Sequence, residues 1–131
     1  MSQNFAKIKD YIHQLDLRIV REDEKQEIIV VDDPDNGIQN LIIDGSPPLL
    51  ILEQLIFQIK SDSIELYKRL LQMNRTLVHG AFALDEDGKY LFFRDTLQLE
   101  NLDLNELEAS VQALSLALAE NGSELLEFAK N

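Results

Sequence analysis

Cysteine is absent from the sequence. Its absence excludes disulfides, thiolate nucleophiles, cysteine-ligated zinc and iron–sulfur clusters. Glycine is also scarce. The chain has five glycines, and each stands alone in a turn-like segment. None belongs to a glycine-rich loop with the Lys-Ser/Thr ending that cradles phosphates. We therefore expect no cofactor and no nucleotide site of that kind.

Metal-binding and catalytic patterns are missing as well. The two histidines, His13 and His79, have no ligand partner at motif spacing. The acidic turns at residues 32–37 and 85–88 do not fit a calcium loop; counted from Asp85, for example, the fifth position is Lys89. No carboxylate pair is set in an apolar surround, and no Gly-x-Ser-x-Gly elbow exists. We predict no metal site and no enzymatic activity.

Basic residues and long apolar runs are few. The chain has 12 Lys and Arg against 24 Asp and Glu, a formal net charge of −12. Such a charge repels nucleic acids and anionic membranes and favours a basic or amphipathic protein partner. The alternative, that the charge only maintains solubility, stays open.

The longest apolar stretch, residues 49–59, contains Glu53 and is too short to span a bilayer. Residues 1–7 show no signal-peptide pattern. We expect a cytoplasmic protein that does not insert into membranes.

Periodicity and turn residues predict one domain over residues 1–131. Helical spacing predicts a first helix over residues 2–14, and two further helices begin at Asp62 and Asp103, each with a glutamate three residues on, as in a capping box. The third helix is predicted to end near Gly122, with a short terminal turn or helix after it. Alternating patterns between turns predict strands at residues 17–21, 27–31 and 38–43 and a hairpin of residues 80–84 and 89–94.

Residues 49–60 fit either a strand or a helix. As a helix, Leu52, Leu55, Ile56 and Ile59 line one stripe, whereas the alternation after Glu53 favours a strand. We adopt the strand. The element order is then helix, three or four strands, helix, two strands, helix, which with three strands reads α-β-β-β-α-β-β-α. Because tight turns join the strands, the predicted fold class is α+β, an antiparallel sheet with helices packed on one side.

Surplus apolar residues indicate two interaction surfaces. On the strand at residues 49–59, Leu50, Leu52 and Ile56 are predicted to lie away from the core and to form the client-binding face, where an extended segment adds as a strand. The alternative, that they pack under a helix or in a dimer seam, stays open. Leu66 and Met73 lie off the main stripe of the middle helix and are predicted to form a homodimer interface; burial by a neighbouring helix is the alternative. That main stripe comprises Ile64, Tyr67, Leu70, Leu71 and Leu77.

Two segments carry a resemblance to a known family. Residues 79–102, HGAFALDEDGKYLFFRDTLQLENL, resemble the hairpin and last-helix entry of the type III secretion chaperone-like proteins, which include the Tir chaperone (CesT-type) and YbjN-domain proteins. Residues 65–75, ELYKRLLQMNR, are similar to that family's middle helix. The likeness covers nearly the whole chain and is weakest at residues 17–37.

The resemblance implies an acidic bacterial homodimer that binds a client polypeptide without ATP and has no catalytic motif. The leading hypothesis is a chaperone-like protein or adaptor. A structural or regulatory subunit of a bacterial protein complex, with membrane-stress systems as one setting, is the alternative. An enzyme is the third hypothesis. Because fold likeness alone does not fix function, the choice depends on the site.

Overall fold

A computed structural model describes residues 2–130 of the chain. The elements, in order, are α1 (Gln3–Gln14), β1 (Arg18–Asp23), β2 (Ile28–Asp33), β3 (Ile38–Ser46), β4 (Leu49–Gln58), α2 (Ile64–Thr76), β5 (Ala81–Leu84), β6 (Tyr90–Gln98) and α3 (Leu104–Ala129). A short 3-10 turn, Pro34–Asn36, joins β2 to β3. The predicted fold class and order are confirmed, with four strands ahead of α2.

The six strands form one antiparallel sheet in the order β1-β2-β3-β4-β6-β5. β1 to β4 follow one another as a meander, each paired with the next. After α2 the chain returns in β5, and β6 then lies between β5 and β4, paired with β4 from Leu49↔Gln98 to Gln58↔Tyr90. This connection leaves β1 and β5 as the two edges of the sheet.

Side-chain caps fix where the helices begin. The predicted capping box at Asp103 and Glu106 is confirmed at the start of α3. The predicted cap of α2 at Asp62 is wrong, because the hydroxyl of Ser63 accepts the hydrogen bond from the Leu66 amide at 3.1 Å. Ser63 is the last residue with extended backbone angles, so its side chain is the one that reaches the free amides of the first turn.

The third helix is longer than predicted. It runs through Gly122 to Ala129 without the expected stop. Glycine in a helix costs about 1 kcal/mol relative to alanine. Burial offsets that cost, because Leu125 lies beyond the glycine and is buried in the same core as Leu114 and Ala117. Continued core contact therefore overrides the local stop signal.

The helices cover one face of the sheet, and the core lies between them. On β4, Leu50, Leu52 and Gln54 point into this core, whereas Ile51 and Leu55 point to the open face. A bulge between Leu55 and Phe57 interrupts the alternation. The strand prediction for this segment is therefore right, and the predicted orientation of its leucines is wrong.

Candidate functional site

The described part of the chain, residues 2–130, contains no group of three or more His, Asp or Glu side chains that could hold a metal ion. Within the same residues, each buried side-chain nitrogen or oxygen has a hydrogen-bond partner. The buried Ser110 hydroxyl, for example, donates to the Asp95 carboxylate at 2.7 Å, which ties α3 to β6. No helix in residues 2–130 is long and apolar enough to cross a bilayer. The search for a site therefore turns to surfaces.

The three predicted client-binding residues do not share an exposed face. Leu50 and Leu52 are 0% and 2% exposed and pack beneath the helices. Ile56 lies in the β4 bulge, is half-buried, and lines a small cavity of about 150 Å³ with the end of α3. The orientation was predicted wrongly because β4 is apolar on both faces, so alternation alone does not tell which face meets the helices. A binding role for these residues stays a prediction, and it would require Leu50 and Leu52 to leave the core.

The two predicted dimer residues, Leu66 and Met73, are each 3% exposed and lie in the core of the chain itself. The predicted main stripe of α2 is therefore rotated. Leu66, Leu70 and Met73 face inward, at i, i+4 and i+7, whereas Ile64 and Leu71 face outward. Both stripes are apolar and helically spaced, so periodicity alone cannot distinguish them. The role of Leu66 and Met73 in dimerisation stays a prediction.

The outward side of α2 carries the exposed apolar residues Ile64 and Leu71, and Val78 follows two residues after the helix ends; we name these three residues the α2 outer stripe. Their side chains are 77%, 72% and 84% exposed. The exposed cations Lys68 and Arg75 lie between them along the chain. Ile64 and Leu71 lie two helical turns apart on one face, and large apolar side chains this exposed are typical of a surface that another polypeptide covers.

Polar contacts fix the orientation of α2. On one flank the Arg69 guanidinium donates two hydrogen bonds to the Glu124 carboxylate of α3, at 2.5 and 2.8 Å. Those hydrogen bonds raise the pKa of Arg69 and lower the pKa of Glu124 from their ordinary values. At the start of the helix the Tyr67 hydroxyl donates to Asp62 at 2.8 Å, which raises the pKa of Tyr67.

One edge of the sheet, β5, is closed by α2. The Asn74 amide accepts a hydrogen bond from the Phe82 N–H at 2.7 Å and donates one to the Phe82 carbonyl at 3.1 Å. Asn74 thus occupies both main-chain groups of Phe82, two of the groups that a further strand would need. Gly80, just before β5, has a φ of 72°, and a Cβ there would lie 2.4 Å from the Phe93 ring. Glycine is therefore required for β5 to pack this closely against β6.

The other edge, β1, faces outward. Within residues 2–130, no hydrogen bond from another element reaches the main chain of β1 on the side away from β2. Val20 forms a bulge, and side chains of both signs flank it. Arg18 pairs with Asp32 at 2.9 Å and Glu22 with Lys9 at 3.0 Å. Bulges and charges on an edge strand limit indiscriminate pairing, so this edge is protected against aggregation although its outer main-chain groups stay available.

The open face of the sheet is less uniform than either edge. Leu55 is half-exposed, and it lies beside Phe92 on β6. The ion pair of Arg94 with Glu53, at 2.7 Å, interrupts the apolar surface in the middle of the sheet. The face therefore offers scattered apolar side chains rather than a continuous patch.

Sequence reasoning missed the difference between the two edges. Which strands form the edges depends on the order of strands in the sheet. That order is set when the chain, after α2, places β6 beside β4 and β5 outside β6. The available signal was the charge on residues 18–23, where Arg18, Arg21, Glu22 and Asp23 suit an edge strand. Nothing local marks Asn74, because its partner, Phe82, is eight residues further along the chain.

Comparison with solved structures shows the fold. E. coli YbjN superposes with a TM-score of 0.68 and 12% identity over 92% of each chain. A chain of the heterodimeric ExoU–SpcU complex, from the type III secretion system of Pseudomonas aeruginosa, has a TM-score of 0.67 and 17% identity over 93% of this chain and 97% of that one. A chain of the HopA1–SchA chaperone–effector complex follows at 0.62 and 15%, over 91% and 96%.

Among curated protein sequences, none matches this chain. The CesT_Tir_1 family model, in contrast, matches residues 1–131. The match spans the whole sequence and agrees with the resemblance at residues 65–75 and 79–102. The chain belongs to the CesT_Tir_1 family, whose members are non-enzymatic binding proteins, as the sequence predicts.

Proposed function

We propose that this chain is a cytoplasmic, non-catalytic, chaperone-like protein that binds an extended segment of a client polypeptide as an added strand on β1. The observation that carries the proposal is the contrast between the two edges: Asn74 occupies both main-chain groups of Phe82 in β5, whereas within residues 2–130 no hydrogen bond from another element reaches the outer main chain of β1. Strand addition obtains affinity from main-chain hydrogen bonds and needs a free edge of this kind.

The structural neighbours support a binding role. Two of the similar structures are complexes of proteins, one of them a chaperone with its effector. The charge supports a protein partner over nucleic acid, because a net charge of −12 repels phosphates and attracts basic segments. A client with basic residues near its bound strand fits this charge best.

We further propose that the chain acts as a homodimer through the α2 outer stripe. In a two-fold interface the same surface serves both copies. An antiparallel arrangement would set Leu71 near the axis and Ile64 of each copy towards Val78 of the other. The interface thus comprises the outward residues of α2, instead of the buried Leu66 and Met73 that the sequence suggested.

A proline scan across Arg18 to Glu22 tests strand addition. Proline removes one N–H per variant, so it spares the fold where that N–H points outward and disrupts pairing with β2 where it points inward. We expect variants whose melting temperature stays within about 4 °C of wild type to lose client capture from native-cell extract by about tenfold or more. Leu55→Gln, on the open face, is the control and should capture clients normally.

Two outcomes would overturn this proposal. Folded proline variants that retain full capture would show that the client does not pair with β1. A single stoichiometric partner that never exchanges with labelled competitor would instead identify a fixed subunit of a larger complex. Mass spectrometry of the captured proteins distinguishes these cases, because a chaperone-like protein releases exchangeable, substoichiometric clients.

Sedimentation tests the dimer. We expect the wild type to sediment at twice its 15.0 kDa mass at micromolar concentration, and Leu71→Glu to sediment as a monomer because it puts two like charges near the axis. Leu126→Glu is the matched control, since Leu126 is a similarly exposed leucine on α3. A monomeric wild type, or a Leu71→Glu variant that remains dimeric, would contradict the proposed interface.

A further inference from the structure

A groove opens at the end of the sheet where β1 begins. It lies between the end of α1, the turn from β2 to β3 and the middle of α3, and its volume is about 360 Å³. Leu17, Ile38 and Val111 are buried at its floor, and Leu116 is exposed at its side. Asp33 and Glu108 stand at its rim. We name this feature the acidic groove.

The residues that line the groove carry negative charge. Among the described residues that line the groove, none is lysine or arginine. Within residues 2–130, Glu108 forms no ion pair, and the Asp33 carboxylate accepts a hydrogen bond from the Asn36 amide at 2.7 Å. Asp35, two residues after Asp33, adds charge of the same sign, whereas Asp32 is already paired with Arg18. A cation at the rim would therefore be attracted, and an acidic or phosphorylated group would be repelled.

The position of the groove links it to the proposed client strand. Leu17 is the residue immediately before β1, and Asp33 is the last residue of β2. A strand added along β1 would therefore end beside the groove. The volume lies near the lower end of the range for small-ligand pockets, about 300–1,000 Å³, so it has room for one or two side chains and not for a helix.

We propose that the acidic groove is an anchor subsite that takes a large apolar side chain of the client followed directly by lysine or arginine. The apolar side chain rests on Leu17, Ile38 and Val111, and the cation meets the carboxylates of Asp33 and Glu108. This inference rests on the proposed function, because it assumes a client on β1. The anchor subsite would give the client site its sequence specificity, because it selects an extended segment that ends in an apolar residue followed by a basic one.

Two synthetic peptides provide the probe. Both carry Thr-Val-Thr-Val for strand pairing; one continues Leu-Arg-Lys and the other Leu-Glu-Glu, with blocked ends. Titrated into the full chain labelled with nitrogen-15, the basic peptide should shift the amide resonances of Leu17, Ile38 and Val111. It should also bind about tenfold more tightly than the acidic peptide, the effect expected of two half-exposed ion pairs.

Matched variants assign the charge effect to the rim. The double variant Asp33→Asn and Glu108→Gln should lose that tenfold preference while its amide spectrum stays folded. The control double variant, Glu86→Gln and Asp87→Asn, removes two exposed charges from the β5–β6 hairpin, at the opposite end of the sheet from β1, and should keep the preference.

Three outcomes would overturn the anchor subsite. If both peptides bound equally and shifted only the amide resonances of β1, the anchor subsite would be contradicted, whereas client binding at β1 would not. No shift with either peptide would count against both. Shifts at the groove on raising protein concentration alone would show that a second copy of the chain occupies it.

Discussion

The two edges of the sheet differ in length and in what covers them. β5 has four residues, and its Phe82 is hydrogen-bonded through both main-chain groups to Asn74 of α2. β1 has six residues, a bulge and charged side chains, and within residues 2–130 no hydrogen bond from another element reaches its outer main chain. An unpaired edge strand promotes aggregation. The fold occupies main-chain groups at the β5 edge and leaves those of β1 available, which indicates that the β1 edge has a function.

A client that bound on a face of the sheet, instead of at an edge, would make the difference between β1 and β5 irrelevant to function. If a client bound on β4, Leu52→Gln would fold normally and lose capture. Because Leu52 is buried in the core, we expect this variant to lose about 3–5 kcal/mol of its free energy of unfolding. Urea denaturation measures the loss.

The control on the same strand is Leu55→Gln. Leu55 is 51% exposed on the open face, so its substitution should change the free energy of unfolding by about 0.5 kcal/mol or less. A folded Leu52→Gln variant with normal stability would show that the face assignment of β4 is wrong.

The contribution of Asn74 to the β5 edge can be tested by removing its side-chain amide. Asn74→Leu removes both hydrogen bonds to Phe82 and leaves the N–H and the carbonyl of this buried residue without their partner. We expect a loss of about 1–3 kcal/mol in the free energy of unfolding, with faster hydrogen exchange at the Phe82 amide. The variant should also self-associate through the exposed edge, which light scattering would detect.

Asn74→Asp separates the contributions of the two hydrogen bonds. It keeps an acceptor for the Phe82 N–H and removes the donor to the Phe82 carbonyl, so its loss should be smaller than that of Asn74→Leu. If both variants match the wild type in stability and exchange, Asn74 does not close the edge.

Much of the fold could be predicted from local patterns, and the candidate site could not. The box at Asp103 and Glu106 and the hairpin around residues 85–88 depend on residues a few positions apart. The orientations of Leu52 and Leu66 depend on which of two apolar faces meets the helices, which is decided by long-range packing. The contact of Asn74 with Phe82 depends on the path of the chain after α2.

The smallest expected effect concerns acid. The Arg69 hydrogen bonds lower the pKa of Glu124 in the folded protein, so the pair contributes stability above the ordinary carboxyl pKa. That contribution is lost as pH falls through the lowered folded value. Because α2 carries Asn74, acid should slightly lower the protection factor of the Phe82 amide, which is its intrinsic exchange rate divided by its observed rate at the same pH. Hydrogen exchange measured across acidic pH checks this.

Glu124→Gln should remove this pH dependence. Glu127→Gln is the control, since Glu127 is a more exposed glutamate on the same helix. The same acid response in wild type and Glu124→Gln would show that the Arg69 pair does not hold α2 in place.

The most direct test of binding at β1 is hydrogen exchange on a complex with a client captured from the native cell. The free and bound chain are compared peptide by peptide by mass spectrometry. We predict exchange slowed by about tenfold or more in residues 18–23, because each newly paired amide becomes protected, with residues 81–84 unchanged. Slowed exchange at residues 81–84, or on β4, with residues 18–23 unchanged, would contradict client binding at the β1 edge.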